Sequence, residues 1–180
     1  MKTMKALQFE KYGPPTVLSI QDLQVPDLKP GEVPVELHAS AINPSDVKNV
    51  AGAFRASLPR IPGRDFAGVV VAGGDWKGKE VWGSGAGFGV WRDGTHAQYL
   101  AVSSDGLSEK PAGLSMEEAS TVGVPYLAAW SGLVDTANIQ PERPFDHRCS
   151  GRGRQGGHPD RALEEGESHR GGYLRPALRR

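Results

Sequence analysis

Residues 61–72 read IPGRDFAGVVVA, a tight turn followed by a short apolar run, and this stretch decides the fold class. The run at 66–72 is short and rich in valine, so it predicts a buried strand rather than a helix. Pro62-Gly63 supplies the turn before the strand, and Gly73-Gly74-Asp75 supplies the turn after it. A strand bounded in this way indicates a sheet made of short elements.

The chain on either side repeats this pattern of short strands and turns. Further strands are predicted at 4–9, 18–23, 33–41, 80–82 and 95–102, and His96 is predicted to face solvent on the last of them. Many short strands with glycine and proline between them predict a mainly β fold with a few helices, in the form of a small antiparallel barrel or a sandwich.

Two segments carry signals for helices. Asn43 is a preferred N-cap residue, and Pro44 stands at the first helical position, where its missing N–H costs nothing. Ser115 and Glu118 have the spacing of a capping box, and apolar residues continue to about residue 134. Pro125 is expected to kink this second helix or to split it into two.

Composition limits the class of protein. The 180 residues have a formal net charge of zero, which argues against nucleic acid or an anionic membrane as a partner. A single cysteine excludes an intramolecular disulfide framework and fits a reducing compartment. The first residues lack the apolar run of a signal peptide, and no segment is apolar enough to cross a bilayer. These features predict a soluble, cytoplasmic protein.

The chain changes character after residue 141. Residues 1–141 resemble ordinary folded sequence, whereas 144–180 hold eight arginines, no lysine and few bulky apolar residues. The segment 142–180 is therefore predicted to be an Arg- and Gly-rich disordered tail. A reading-frame change near 141–144 is a second hypothesis, because codons from Arg143 onward, read one base later, permit VLLIIGAxGVGGRAATQIA. That string has the strand, glycine-rich turn and helix start of a dinucleotide-binding unit.

Several motifs in order carry a family resemblance. They are LKPGE at 28–32, AINPSD at 41–46, IPGRDFAGVV at 61–70, GTHAQY at 94–99 and LSMEEA at 114–119. Together, over about residues 4–141, they resemble the GroES-like domain of medium-chain dehydrogenases/reductases, in the quinone oxidoreductase branch. The resemblance implies a partly open antiparallel barrel, with the Rossmann domain absent or replaced by the tail.

The resemblance also implies chemistry without zinc. Zinc-dependent members have a cysteine at the position of Asn43 and a histidine at that of Arg64, and this chain has neither ligand there. A catalytic zinc needs about three such ligands. The implied reaction is hydride transfer from NADPH to a quinone or an α,β-unsaturated carbonyl, with the cofactor doing the redox chemistry. Relatives of this kind form homo-oligomers, so one is a possibility here.

The same resemblance gives the candidate site residues. Asn43 and Asp46 would position the reacting groups in the cleft, with Asn43 also touching the cofactor. Asp65, Tyr126 and Trp130 would contact the cofactor, although Ala128 stands where the family usually has a threonine.

Each candidate also has a purely structural explanation. Asn43 and Asp46 could serve only the start of their helix, and Asp65 could make a structural hydrogen bond. Tyr126 and Trp130 could belong to the core. Arg64 is expected to be a structural or solvated cation.

Three functional hypotheses follow. The first is the reductase, which would be inactive as this chain alone because the main cradle of the cofactor is missing. The second is a truncated, non-enzymatic GroES-like module that acts only by association with a partner. The third, an RNA-binding role for the Arg- and Gly-rich tail, is the weakest, because the tail has one tyrosine for stacking and a modest charge.

Overall fold

The computed structural model describes residues 2–139. The tail at 142–180 lies outside the described residues, so the boundary at 141, the predicted disorder and the frame-change hypothesis stay predictions. The strands are β1 Thr3–Gln8, β2 Ser19–Gln24, β3 Glu32–Ala39, β4 Asp65–Val70, β5 Glu80–Ser84, β6 Tyr99–Ser103 and β7 Ser108–Glu109. The helices are α1 Pro44–Val50, α2 Met116–Ser120 and α3 Gly123–Trp130, and a π-helical turn at Ser131–Thr136 continues α3.

The strands form two antiparallel sheets. One has the order β6-β3-β4-β5-β7, and the other is the pair β1-β2. An isolated bridge between Ala6 and Ala97 links β1 to the segment before β6. Within residues 2–139 the sheets stay open and do not close into a barrel. The prediction of a mainly β, partly open antiparallel fold is therefore confirmed.

The hydrophobic core lies on the five-stranded sheet. Its central strand β4 is almost entirely buried, which explains why its sequence is a continuous apolar run rather than an alternating one. Phe66 meets Phe88 edge to face, with ring centroids 6.1 Å apart. The buried cluster consists of Val33, Val35, Phe66, Val70, Val81, Phe88, Leu100, Val102 and Leu107.

The turn before β4 requires glycine. Gly63 has φ of 99°, in the left-handed region that residues with side chains seldom adopt. A Cβ atom there would lie 2.4 Å from the Thr95 hydroxyl oxygen. This turn therefore packs directly on the segment before β6 and delivers Arg64 and Asp65 to the start of β4.

The helices begin where the sequence predicts. Asn43 is the N-cap of α1, with Pro44 at its first position. At α2, the Glu118 N–H donates to Ser115 Oγ at 3.1 Å, and the Ser115 N–H donates to Glu118 Oε2 at 2.8 Å. The predicted split is also confirmed, but it falls at residues 121–122, before Pro125. Pro125 lies in the first turn of α3, where a backbone N–H has no helical acceptor.

One strand prediction was too long, and it misplaced a histidine. Strand β6 begins at Tyr99 rather than at residue 95. The preceding segment bonds to β1 instead, with the Leu7 N–H donating to the His96 carbonyl at 2.8 Å. The His96 ring does not face solvent as predicted: Nε2 lies 3.2 Å from the Ala41 carbonyl, and Nδ1 is buried.

Among residues 2–139, no helix has the length and apolar character to cross a membrane.

We expect Glu32→Gln to destabilise the domain at neutral pH. Burial would raise the pKa of Glu32, but the Lys29 N–H and the Arg92 guanidinium, 3.0 and 2.9 Å from its oxygens, outweigh burial and lower that pKa. A lowered pKa gives stability above the ordinary carboxyl pKa of about 4.3, and this stability is lost as the pH falls further.

Urea unfolding at about pH 7 should therefore show a loss of about 1–2 kcal/mol for Glu32→Gln. This difference should be smaller at about pH 3, below the ordinary carboxyl pKa. Glu10→Gln, at an exposed carboxyl, is the matched control. An equal loss at both pH values would contradict the assigned cause.

Candidate functional site

Three of the predicted site residues lie together at the start of α1. The Asn43 N–H donates to Asp46 Oδ2 at 2.8 Å, and the two residues form a capping box. The Asn43 side-chain amide donates to Asp65 Oδ2 at 2.8 Å. All three residues are buried, with exposures of 4, 3 and 0% for Asn43, Asp46 and Asp65. The sequence motif thus folds into one connected polar cluster.

Asp65 is the centre of this cluster. Besides the Asn43 amide, it accepts a short hydrogen bond from Ser84 Oγ at the end of β5. The Val124 N–H, in the first turn of α3, lies 3.1 Å from both carboxylate oxygens. Because an anion near the first turn of a helix offsets the helix dipole, Asp65 acts as a cap for α3 supplied from a strand. One carboxylate therefore joins α1, β5 and α3.

The partners of Asp65 could not be found from the sequence. Ser84 and Val124 lie 19 and 59 residues away along the chain, and neither spacing marks a motif. Ser84 stands between two glycines in the glycine-rich stretch 83–89, at the end of β5. Val124 contributes only its backbone N–H, which any residue except proline could supply. Only the antiparallel pairing of β4 with β5 brings Asp65 opposite Ser84.

Arg64 lies on the α1 side of the same turn. Its Nε is 3.7 Å from Asp46 Oδ1, and its guanidinium carbon is 5.0 Å from the centre of the Phe54 ring. The side chain is 23% exposed, although Nε itself is buried and has no hydrogen-bond acceptor. Arg64 is thus held between a carboxylate and an aromatic ring, and its side chain is only partly exposed.

The two predicted aromatic residues lie on α3 and are not in the core. Tyr126 and Trp130 are 65 and 62% exposed, and Leu127 between them is 61% exposed. They line a groove of about 300 Å³ against the end of β5, where Ser84 and Gly123 form part of the wall. Ser84 and Gly123 also border Asp65. A Cβ atom added to Gly123 would press against the Asp65 carboxylate and the Ser84 side chain. The groove therefore adjoins the polar cluster through these two residues.

Metal-binding residues do not gather in the described part of the chain. Across residues 2–139, no group of three or more His, Cys, Asp or Glu side chains is arranged to hold a metal ion. Asn43 is occupied by Asp65 and Asp46, and Arg64 brings a positive charge. This set of donors does not fit zinc.

Comparisons with known proteins agree with the fold. The model of the alcohol dehydrogenase GroES-like domain matches residues 29–112. A zinc-type alcohol dehydrogenase-like protein of Schizosaccharomyces pombe is 42% identical over 135 residues, which cover 72% of this chain and 42% of that protein. A chloroplastic NADPH-dependent alkenal/one oxidoreductase of Arabidopsis thaliana is 36% identical over 147 residues, covering 75% of this chain and 38% of that protein.

A solved structure gives the same result. The quinone oxidoreductase from Coxiella burnetii superposes with a TM-score of 0.70 at 27% identity, covering 77% of this chain and 46% of that protein. The chain thus spans less than half the length of each of these three proteins. Residues 29–112 of the chain thus belong to the alcohol dehydrogenase GroES-like domain family.

Proposed function

We propose that this chain is the substrate-side part of a zinc-independent oxidoreductase that reduces a quinone or an α,β-unsaturated carbonyl with NADPH. One observation carries the proposal: Asp65 joins the Asn43–Asp46 segment to the helix that presents Tyr126 and Trp130. A polar cluster and an open aromatic groove thus share one rigid anchor. The names of the quinone and alkenal/one oxidoreductases support the class of acceptor.

The groove on α3 fits one end of a dinucleotide. Tyr126 and Trp130 offer flat apolar faces, and Gly83, Gly106 and Gly123 leave room beside them. A planar nicotinamide ring would pack there, and when bound it would supply the hydride. Within residues 2–139, no glycine-rich turn leads from a strand into a helix to cradle a diphosphate. The described residues therefore fit the nicotinamide end and not the rest of the cofactor.

The cluster at α1 defines what the protein supplies to the reaction. Its members are bonded to one another, so Asn43 and Asp46 are held rigidly rather than free to move a proton. Reduction of a conjugated carbonyl requires orientation and stabilisation of charge, and a proton can come from solvent. The poor fit of these donors to zinc supports the proposed zinc independence. A cytoplasmic location is proposed with it, because one cysteine fits a reducing compartment.

We expect that the chain alone neither binds NADPH up to millimolar concentration nor oxidises it in the presence of a quinone. A chimera in which residues 1–139 precede the remaining part of the S. pombe relative should reduce quinones or enones with NADPH. In that chimera, Trp130→Ala should raise KM for NADPH about tenfold, because the groove loses one flat wall.

Trp91→Ala is the matched control for this variant. Trp91 is 85% exposed and does not line the groove. A folded chimera that binds NADPH but reduces neither class of acceptor would contradict the proposed function. Micromolar binding of NADPH to the chain alone would contradict the proposal that the chain holds only the nicotinamide end of the cofactor.

Association with a partner is the second candidate function. The exposed Tyr126, Leu127 and Trp130 favour it, since clustered apolar side chains on a surface mark places where another protein packs. Formation of a stable complex with an intact relative, without any gain in reductase activity, would favour this role over the enzyme.

A further inference from the structure

The Arg64 guanidinium has hydrogen-bond donors without partners, whereas the neighbouring polar side chains are already hydrogen-bonded. Asn43 donates to Asp65, Asp46 accepts from the Asn43 backbone, and Asp65 accepts from three groups. The guanidinium of Arg64, by contrast, makes no hydrogen bond to any residue in 2–139: its contacts are the ion pair with Asp46 and the ring of Phe54. Its donors therefore have no hydrogen-bond acceptor among residues 2–139, and the side chain as a whole is 23% exposed.

The position of this guanidinium is fixed from both sides. Asp46 is buried and already oriented by Asn43, so it offers Arg64 a charge that does not move. Phe54 covers one side of the guanidinium, with 5.0 Å between the guanidinium carbon and the ring centre. A cation that is oriented before a ligand arrives loses less entropy when it binds one. Arg64 is thus built as a donor, beyond the structural or solvated cation expected from the sequence.

We propose that the Arg64 guanidinium binds the acceptor oxygen that becomes negatively charged during the reduction. In the proposed reaction, a hydride and its electron pair form a new C–H bond at the far carbon of the conjugated system. The carbon–carbon double bond gives its electron pair toward the carbonyl, whose oxygen becomes an enolate anion. From a quinone, this enolate becomes the hydroquinone anion when the carbon that accepted the hydride loses a proton and the second carbonyl oxygen gains one. A solvent proton completes the product, and the nicotinamide leaves oxidised.

This assignment rests on the proposed function and names the oxygen of the acceptor that the chain recognises. A guanidinium suits that oxygen because its hydrogen bonds to an anion are charge-assisted and about twice as strong as neutral ones. The interaction is stronger with the anion than with the neutral carbonyl, which is what stabilisation of a transition state requires. Arg64 should therefore favour acceptors in which reduction places the negative charge on one exposed oxygen.

The test uses the full chain and 4-nitrophenol, a flat conjugated ring whose oxygen ionises near neutral pH and changes colour. Absorbance titrations across a pH series should show the anionic form binding at least about tenfold more tightly than the neutral form. Arg64→Met should abolish this preference, and Arg64→Lys should retain part of it because the charge remains. Arg60→Met is the matched control, since Arg60 already donates to Ser57 and pairs with Asp93.

Three results would overturn the assignment: equal affinity of the wild-type chain for the two forms, no binding at all, or an equal loss of preference in the Arg64→Met and Arg60→Met variants. Arg64→Lys keeps the test decisive if Arg64→Met does not fold. Failure of the NADPH chimera would sink the proposed function while leaving this binding result intact. An active chimera together with failed discrimination by the chain would sink the role of Arg64 alone.

Discussion

Gly68→Ala is expected to destabilise the domain by about 3 kcal/mol or more, which is a large part of the total stability of a typical domain. Gly68 lies in the middle of β4, opposite Leu37 of β3 and Val81 of β5. A Cβ atom on Gly68 would come within 2.1 Å of the Glu36 carbonyl oxygen. Because that oxygen belongs to the backbone of the neighbouring strand, no side chain can turn away to make room. The strands must separate, and the core on the sheet opens with them.

Circular dichroism and urea unfolding of the full chain would measure this effect. Gly106→Ala is the control: Gly106 has no neighbour within 4 Å of an added Cβ and no unusual φ. We expect Gly106→Ala to change the free energy of unfolding by less than about 1 kcal/mol. If Gly68→Ala were as stable as Gly106→Ala, the close approach of β3 to β4 would be wrong.

Asp65→Ala is expected to cost about 3–5 kcal/mol. The substitution leaves the Asn43 amide, the Ser84 hydroxyl and the Val124 N–H without their acceptor, at a position where Asp65 itself is fully buried. Each buried donor without a partner costs about 1–3 kcal/mol. The loss should extend beyond global stability, because α3 is tied to the sheet through Val124.

Hydrogen exchange separates these two effects. In Asp65→Ala, amides in the first turn of α3 should lose protection more than amides in β3 and β4. Asp65→Asn keeps the shape and one acceptor oxygen, so we expect a loss of about half the size. Asp75→Ala, at an exposed aspartate, is the control. Uniform loss of protection across the domain would show that Asp65 stabilises the fold without anchoring α3.

Much of the fold could be predicted from local sequence. The apolar run after Gly63-Arg64 marked β4, and the caps at Asn43 and Ser115 marked two helix starts, since these signals come from backbone chemistry a few residues away. The end of β3 and the start of β6 were less accurate. Their bounds depend on pairing with distant strands, as at the shift in register between Leu37 and Ala39.

The residues of the polar cluster could be selected from the sequence, but their arrangement could not be predicted. The Asn43–Asp46 motif and Asp65 were selected from the family resemblance, and the structure brings them within hydrogen-bond distance. Their mutual bonds, the remote capping of α3 and the unused donors of Arg64 arise from packing between segments far apart in sequence. Exposure of Tyr126 and Trp130 likewise could not be deduced, because residues spaced by four on a helix are more often buried.

The exposed apolar stripe on α3, formed by Tyr126, Leu127 and Trp130, also affects how long this chain survives in a cell. Exposed Tyr126, Leu127 and Trp130 resemble the surface of an incompletely assembled protein, the feature by which chaperones and proteases select their clients. The lifetime of the chain would then depend on how quickly this stripe becomes covered. The amount of the chain in a cell would then depend more on whether another surface covers these side chains than on the stability of the sheet.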